Sequence, residues 1–255
     1  MEQENNFQII NFDKEILREY DIRGIVDKNI TRDTAYTIGR VFGYVVLSKL
    51  KSNKIAIGFD GRLTSPKLYD ALSSGLKDSG AEVKNIGMCP TPMLYFADYL
   101  LNTDAAIMIT GSHNPAEYNG FKMVLNKHSF FSDNIQEFQS IVSNTKLEKQ
   151  NGSINTFNIL DDYVERVLKN IKIKKKLKIS WDIGNGAMGL VIEKIINKLD
   201  NSESIILNKE VDGNFPNHHP DPTVPKNMEQ LIRSVKENKS DIGLAFGGDG
   251  DRLGV

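Results

Sequence analysis

Asp104-Ala-Ala-Ile-Met-Ile-Thr-Gly-Ser-His-Asn-Pro115 is the stretch on which the reading of this chain turns. An apolar run passes directly into a loop of small and polar residues, the pattern of a buried strand, here Asp104–Ile109, that ends at a functional or structural turn. The loop sets one hydroxyl, Ser112, between Gly111 and the imidazole of His113. A second segment has the same build: the apolar Asp241–Phe246 runs into Gly247-Gly-Asp-Gly-Asp-Arg252.

Outward from these two segments, strands and helices alternate. Strands are expected at Lys54–Phe59, Glu82–Ile86 and Phe121–Leu125, the last hairpin-like after Asn119-Gly120. Helices are expected at Arg32–Lys51, capped by Thr31, and at Pro66–Ser79, opened by Ser65 and closed by Gly80. Further helices fall at Pro92–Leu101 and Asp133–Asn144. The polar stretch Lys146–Ser153 marks a boundary between domains at 1–150 and 151–255. The pattern then restarts with a helix at Leu160–Asn170, a strand at Leu177–Asp182 and a turn, Gly184–Gly189, into a helix at Leu190–Lys198. A strand at Ser204–Asn208 and a helix at Lys226–Glu237 precede the final strand. This order predicts two consecutive three-layer α/β/α domains with mixed, mostly parallel sheets.

The composition is that of a globular protein: 255 residues, 25% charged and 40% hydrophobic, with a formal net charge of −1. That balance argues against nucleic acid as a partner. One cysteine, Cys89, excludes an intrachain disulfide and a multi-cysteine zinc site and suits a reducing compartment. No apolar stretch is long enough to span a bilayer, and MEQENNFQII lacks the basic flank and apolar core of a secretion signal. A soluble cytoplasmic protein with no membrane partner is expected.

Ligands of open α/β sheets sit beyond the carboxyl ends of the strands, where both loops lie. A cleft between the domains would set Ser112 beside Asp249 and Asp251, whose spacing can aim two carboxylates at one hard cation. Phosphoryl chemistry assisted by a divalent cation suits that pairing. Each loop also reads as a plain polar turn. In Arg18-Glu-Tyr-Asp-Ile-Arg-Gly24, Tyr20 and Arg23 can reach an anionic ligand or belong to a surface ion-pair segment. Lys122 is a phosphate anchor, a proton donor or a solubilising charge, and Arg252 binds phosphate or pairs with a neighbouring acid. Residues 171–178 form a basic connector or a phosphate or membrane patch. His218 and His219 suggest either a metal site or, given the prolines around them, a rigid interdomain loop. Local chemistry assigns no role to Gly58-Phe-Asp-Gly-Arg62.

Taken in order, REYDIRG, GFDGRLTSP, GMCPTPM, TGSHNPAEYNGFKM, DIGNGAMG, DGNFPNHHPDPT and GGDGDRLGV resemble the α-D-phosphohexomutases, in particular the phosphomannomutase/phosphoglucomutase group, from about Arg18 to the last residue. The resemblance implies that Ser112 is a phosphoserine that exchanges its phosphoryl group with a hexose phosphate through a hexose 1,6-bisphosphate. It further implies that Mg²⁺ bridges Ser112, Asp249 and Asp251, that His113 and Lys122 assist proton transfer and positioning, that Tyr20 and Arg23 line the cleft, and that Arg252 lies beside the reacting phosphate. Two departures stand out. Gly247 occupies a position where the family carries an aspartate, and the chain ends where family members continue into two further domains that hold the sugar and the distal phosphate. The isolated chain is therefore expected to be a poor mutase, or half of an enzyme completed by a separate C-terminal chain. The alternatives are a non-enzymatic remnant or phosphosugar- or partner-binding module, and a phosphatase-like hydrolase.

Overall fold

Alternation along one strand organises the first domain. In the structure, a computed structural model that describes residues 6–255, β4 (Ala105–Ile109) is buried throughout. The first half of the acidic N-terminal stretch lies outside the described residues. Ala105, Ile107 and Ile109 enter one apolar cluster and Ala106 and Met108 another, the period-two consequence of a pleated strand covered on both faces.

On one side of β4, β2 (Lys54–Phe59), β3 (Glu82–Met88) and β7 (Ser153–Thr156) follow in parallel. On the other, β5 (Tyr118–Leu125) runs antiparallel to β4, β1 (Ile22–Ile25) runs antiparallel to β5, and β6 (His128–Phe130) also pairs with β5. The helices α1 (Arg32–Leu50), α2 (Ser65–Asp78) and α4 (Asp133–Asn144) cover one face of this sheet, and α3 (Thr91–Leu100) covers the other. In the second domain, β8 (Leu177–Asp182), β9 (Ser202–Leu207) and β10 (Ile242–Phe246) are parallel, with β11 (Leu253–Gly254) antiparallel at the edge beside β10. Its helices are α5 (Leu160–Leu168), α6 (Ile192–Asn197) and α7 (Glu229–Asn238).

One apolar cluster belongs to both domains. Ala106 and Met108 of the first sheet and Met93 and Leu94 of α3 share it with Tyr163 and Val164 of α5 and with Trp181, Ile183 and Met188. Continuous burial of this kind makes separation costly and holds the two loop-bearing sheets in a set relation.

Most expected elements are present, and the departures have physical causes. Thr31 caps α1 in a reciprocal capping box with Thr34. At α2 the helix starts at Ser65 and Thr64 stands in the cap position without a side-chain cap bond, while the Ser65 hydroxyl donates to Asp60 Oδ1 at 2.7 Å instead of capping. Asn119-Gly120 is not a turn but lies inside β5, paired with Gly24 and Arg23 of β1. There the Asn119 amide donates to the Thr64 and Ser65 hydroxyls, and a Cβ on Gly120 would sit 2.1 Å from the carbonyl oxygen of Ile22. Tertiary packing overrides a local turn signal at this point. The helix expected from Leu190 is a 3-10 turn, Ala187–Leu190, followed by α6, and that expected from Lys226 is a 3-10 turn, Pro225–Met228, followed by α7. The first sheet also takes in residues after position 150, through the exposed edge strand β7. Residues 171–176 are a largely exposed connector into β8. Among the described residues no helix is long and apolar enough to cross a membrane.

Candidate active site

The serine loop leaves the carboxyl end of β4, and the acidic loop leaves the carboxyl end of β10. The two meet across the domain junction. Thr110 Oγ1 accepts the Ser112 amide at 2.7 Å and donates to Asp249 Oδ2 at 3.2 Å, so one side chain ties the hydroxyl-bearing loop to the acidic one. Thr91, at the start of α3, fastens the acidic loop again. Its amide donates to the Asp249 carbonyl at 2.8 Å and its hydroxyl to Asp249 Oδ2 at 2.7 Å.

Lys122 is placed by strand geometry. Its neighbours Phe121 and Met123 point into the first domain's core, so Lys122 faces the opposite side, toward the second domain. Its ammonium lies 3.0 Å from Asp249 Oδ2 and 2.7 Å from Asp251 Oδ2. Burial works against the charge on Lys122, but the two carboxylates outweigh it and hold the ammonium above the usual lysine range. Burial likewise opposes ionisation of Asp249, yet Lys122 and the surrounding hydrogen bonds keep its carboxyl below the ordinary range. Asp251 is shifted the other way, by burial and by the charge on Asp249.

Ser112 is buried and adopts a left-handed backbone, φ 51°, uncommon for a residue with a Cβ. Its Oγ lies 3.3 Å from His113 Nδ1. Burial and then the charge on Arg252 lower the His113 pKa, favouring the neutral imidazole. Ser112, His113, Lys122, Arg252, Tyr20 and Arg23 line one cavity of about 490 Å³. Tyr20 is 73% exposed at its edge, whereas Arg23 is buried and its guanidinium donates to the Gly111 carbonyl and pairs with Asp21. Arg252 sits 3.9 Å from Asp221, in the loop that also carries the two histidines. All eight candidate residues therefore meet at one cleft: six line it, and Asp249 and Asp251 reach it through Lys122.

The residues also fit a divalent cation. Asp249 Oδ1 is buried with no hydrogen-bond partner, and a second carboxylate and a hydroxyl are at hand. Hard cations favour such oxygen donors, and Mg²⁺ commonly keeps several waters. Among the described residues no cluster of three or more His, Cys, Asp or Glu is arranged for a metal, so this site supplies two acids only. Both ring nitrogens of His218 have protein partners, Nδ1 lying 3.0 Å from the His219 carbonyl oxygen. Its Nε2 pairs with Asp182 Oδ2 at 2.9 Å, and the carboxylate raises its pKa.

Sequence reading missed Thr91, Thr110 and the pair Asp60–Arg62. Asp60 Oδ2 accepts the Gly111 amide at 3.2 Å, beneath the serine loop. A clue was available in the position of Asp60–Arg62 just after β2, the strand beside β4, because neighbouring parallel strands end at the same edge.

The fold and cleft define a two-domain α/β protein with a buried serine facing an acidic loop. By sequence, residues 14–149 match the family described as phosphoglucomutase/phosphomannomutase α/β/α domain I, and residues 161–255 match α/β/α domain II. The chain belongs to the phosphoglucomutase/phosphomannomutase family. A phosphomannomutase/phosphoglucomutase of Pseudomonas syringae pv. tomato is 46% identical over 240 residues, which cover 94% of this chain and 51% of the relative. A phosphoglucomutase of Neisseria meningitidis serogroup A is 45% identical over 96% of this chain and 53% of its own length. The crystal structure of a family protein from Burkholderia thailandensis superposes with a TM-score of 0.89 at 40% identity, covering 95% of this chain and 54% of that one. The chain spans about half the length of the curated relatives it matches.

Proposed function

We propose that this chain carries the phosphoryl-transfer centre of a phosphomannomutase/phosphoglucomutase, which interconverts hexose 1-phosphate and hexose 6-phosphate through a hexose 1,6-bisphosphate. The observation that carries this reading is the convergence of Ser112 with Asp249 and Asp251 across the domain junction, through Thr110 and Lys122. Names of relatives add weight: two of the proteins above are called phosphomannomutase/phosphoglucomutase and phosphoglucomutase.

In this reading Ser112 rests as a phosphoserine. The bond from phosphorus to Ser112 Oγ breaks as one forms to a sugar hydroxyl oxygen, the proton of that hydroxyl passes by way of His113 to Ser112 Oγ, and the bisphosphate results. In the return step the bond from phosphorus to the other sugar oxygen breaks as one forms to Ser112 Oγ, and the serine's hydroxyl proton passes by way of His113 Nδ1, which lies 3.3 Å away with its pKa lowered, to the sugar oxygen that is released. Arg23, Arg252 and Lys122 supply positive charge around the transferred group. Asp249, Asp251 and Ser112 would hold Mg²⁺. Bound there, it would neutralise charge on the phosphoryl oxygens. Lys122, held protonated, is free to orient a phosphate oxygen once its carboxylates have another counter-charge.

Intact-mass spectrometry of the purified chain, before and after incubation with glucose 1,6-bisphosphate and Mg²⁺, tests the reading. One phosphate is expected, lost in Ser112→Ala. No phosphate either before or after incubation, or one that persists in Ser112→Ala, overturns it.

A further inference from the structure

We infer that Arg62 is the positioning residue for Ser112: its guanidinium is a clamp that sets the backbone of the serine loop, and Gly111 is the residue that lets it fit. Arg62 is 1% exposed, among the largest fully buried side chains of the molecule. Its Nη1 donates to the carbonyls of Pro115 (2.6 Å) and Tyr118 (3.0 Å), and its Nη2 to those of Ser112 (3.0 Å) and Asn114 (2.6 Å). Four loop carbonyls thus converge on one planar cation. A guanidinium can do this because its donors form a rigid fork, whereas an ammonium offers one point charge.

Burying that charge is costly unless it is paired. Asp60 meets the need, with Oδ2 3.3 Å from Arg62 Nε. The same carboxylate accepts the Gly111 amide, so the loop is held by its carbonyls through Arg62 and by an N–H through Asp60. Gly111 lies against the guanidinium, and a Cβ there would come 2.2 Å from Arg62 Cζ. The glycine before the serine is thus required by the clamp, since its own φ is not in the left-handed range. Ser112 is the residue that pays the left-handed conformation, and the convergent hydrogen bonds hold it there.

The clamp also reads the second domain. The Phe215 ring lies 5.3 Å from Arg62 Cζ, and Gly213 packs so closely on the same turn that a Cβ would fall 2.6 Å from the Leu63 amide nitrogen. Movement of the loop around Phe215 would therefore disturb the support of Ser112 directly.

Only the catalytic consequence rests on the reading of Ser112 above; the clamp does not. The test uses Arg62→Lys and Gly111→Ala, which break one contact from its two sides, alone and together. Two readouts are taken: amide hydrogen exchange, resolved by peptide, and phosphate uptake at Ser112 from glucose 1,6-bisphosphate as a function of its concentration. Faster exchange is expected across residues 110–118 with β4 still protected. The maximal uptake rate should fall ~100-fold while the half-saturating concentration holds, the effect of a small misplacement of a reacting atom. The double variant should be no worse than the poorer single, because both remove the same contact. Unchanged exchange in the loop, a loss of protection spread equally over β2 and β4, or multiplying defects in the double variant would overturn the clamp. Should Arg62→Lys fail to fold, Gly111→Ala carries the same comparison. A parent chain that takes up no phosphate counts against the phosphoryl-transfer reading, and the exchange data still decide the clamp.

Discussion

Replacing Gly247 by aspartate should tighten divalent-cation binding in the cleft. Space is available: a Cβ on Gly247 would find Arg252 Cβ at 3.6 Å and the Pro220 carbonyl oxygen at 3.8 Å, ordinary van der Waals contacts. Its φ lies outside the left-handed region, so a side chain brings no backbone strain. The gain is electrostatic. Two unit charges about 4 Å apart in fully screening water interact by roughly 1 kcal/mol, so a carboxylate facing a dication gains about 2 kcal/mol even without direct ligation. At about 1.4 kcal/mol per tenfold, that is roughly a 25-fold lower Kd. Lys122 does not cancel the effect, since its ammonium already lies between Asp249 and Asp251 in both proteins. Calorimetric titration of Mg²⁺ into the parent, Gly247→Asp and Gly247→Asn would measure it. The asparagine variant matches the shape without the charge and should bind like the parent. Equal Kd in the parent and the aspartate variant, or equal tightening by asparagine, would refute the reasoning.

Other outcomes follow from the same geometry. Thr91→Val removes the hydroxyl that donates to buried Asp249 Oδ2 and leaves Thr110 and Lys122 as its donors; a loss of roughly 1–2 kcal/mol in urea unfolding is expected, and none would show that this bond adds nothing. The His218 pKa is raised by Asp182, so the pair lends stability that is full below the unfolded histidine pKa and drains away as pH rises through the folded one. His218→Asn should therefore cost about 1 kcal/mol near pH 6, and the gap to the parent should narrow toward pH 8; a gap that widens with pH reverses the assignment. Cys89 is buried and burial pushes its thiol pKa up, so a thiol-reactive dye should label it only as fast as the chain unfolds. Rapid labelling of the folded protein would contradict that burial.

Local patterns determined much of this protein from its sequence. The short runs at 54–59, 104–109, 177–182 and 241–246 read as strands because each is followed by turn residues and is short for a helix, and the structure has strands at Lys54–Phe59, Ala105–Ile109, Leu177–Asp182 and Ile242–Phe246. Since loops after such strands share one edge of a sheet, Ser112 and the Asp249–Asp251 pair were legible as candidates for a common site. What tertiary structure alone decided lies where chain segments distant in sequence touch. Asn119-Gly120 carries a strong turn signal, yet β1 packs across it and makes it strand. Lys122 is an unremarkable lysine until the second domain brings two carboxylates to it. The position of Arg62 after a strand hinted at the site but not at its role, because the four carbonyls it holds lie some fifty residues further along the chain. Periodicity and turn chemistry act over a few residues and can be read from them; a buried cation's partners are set by which segments the shared core presses together.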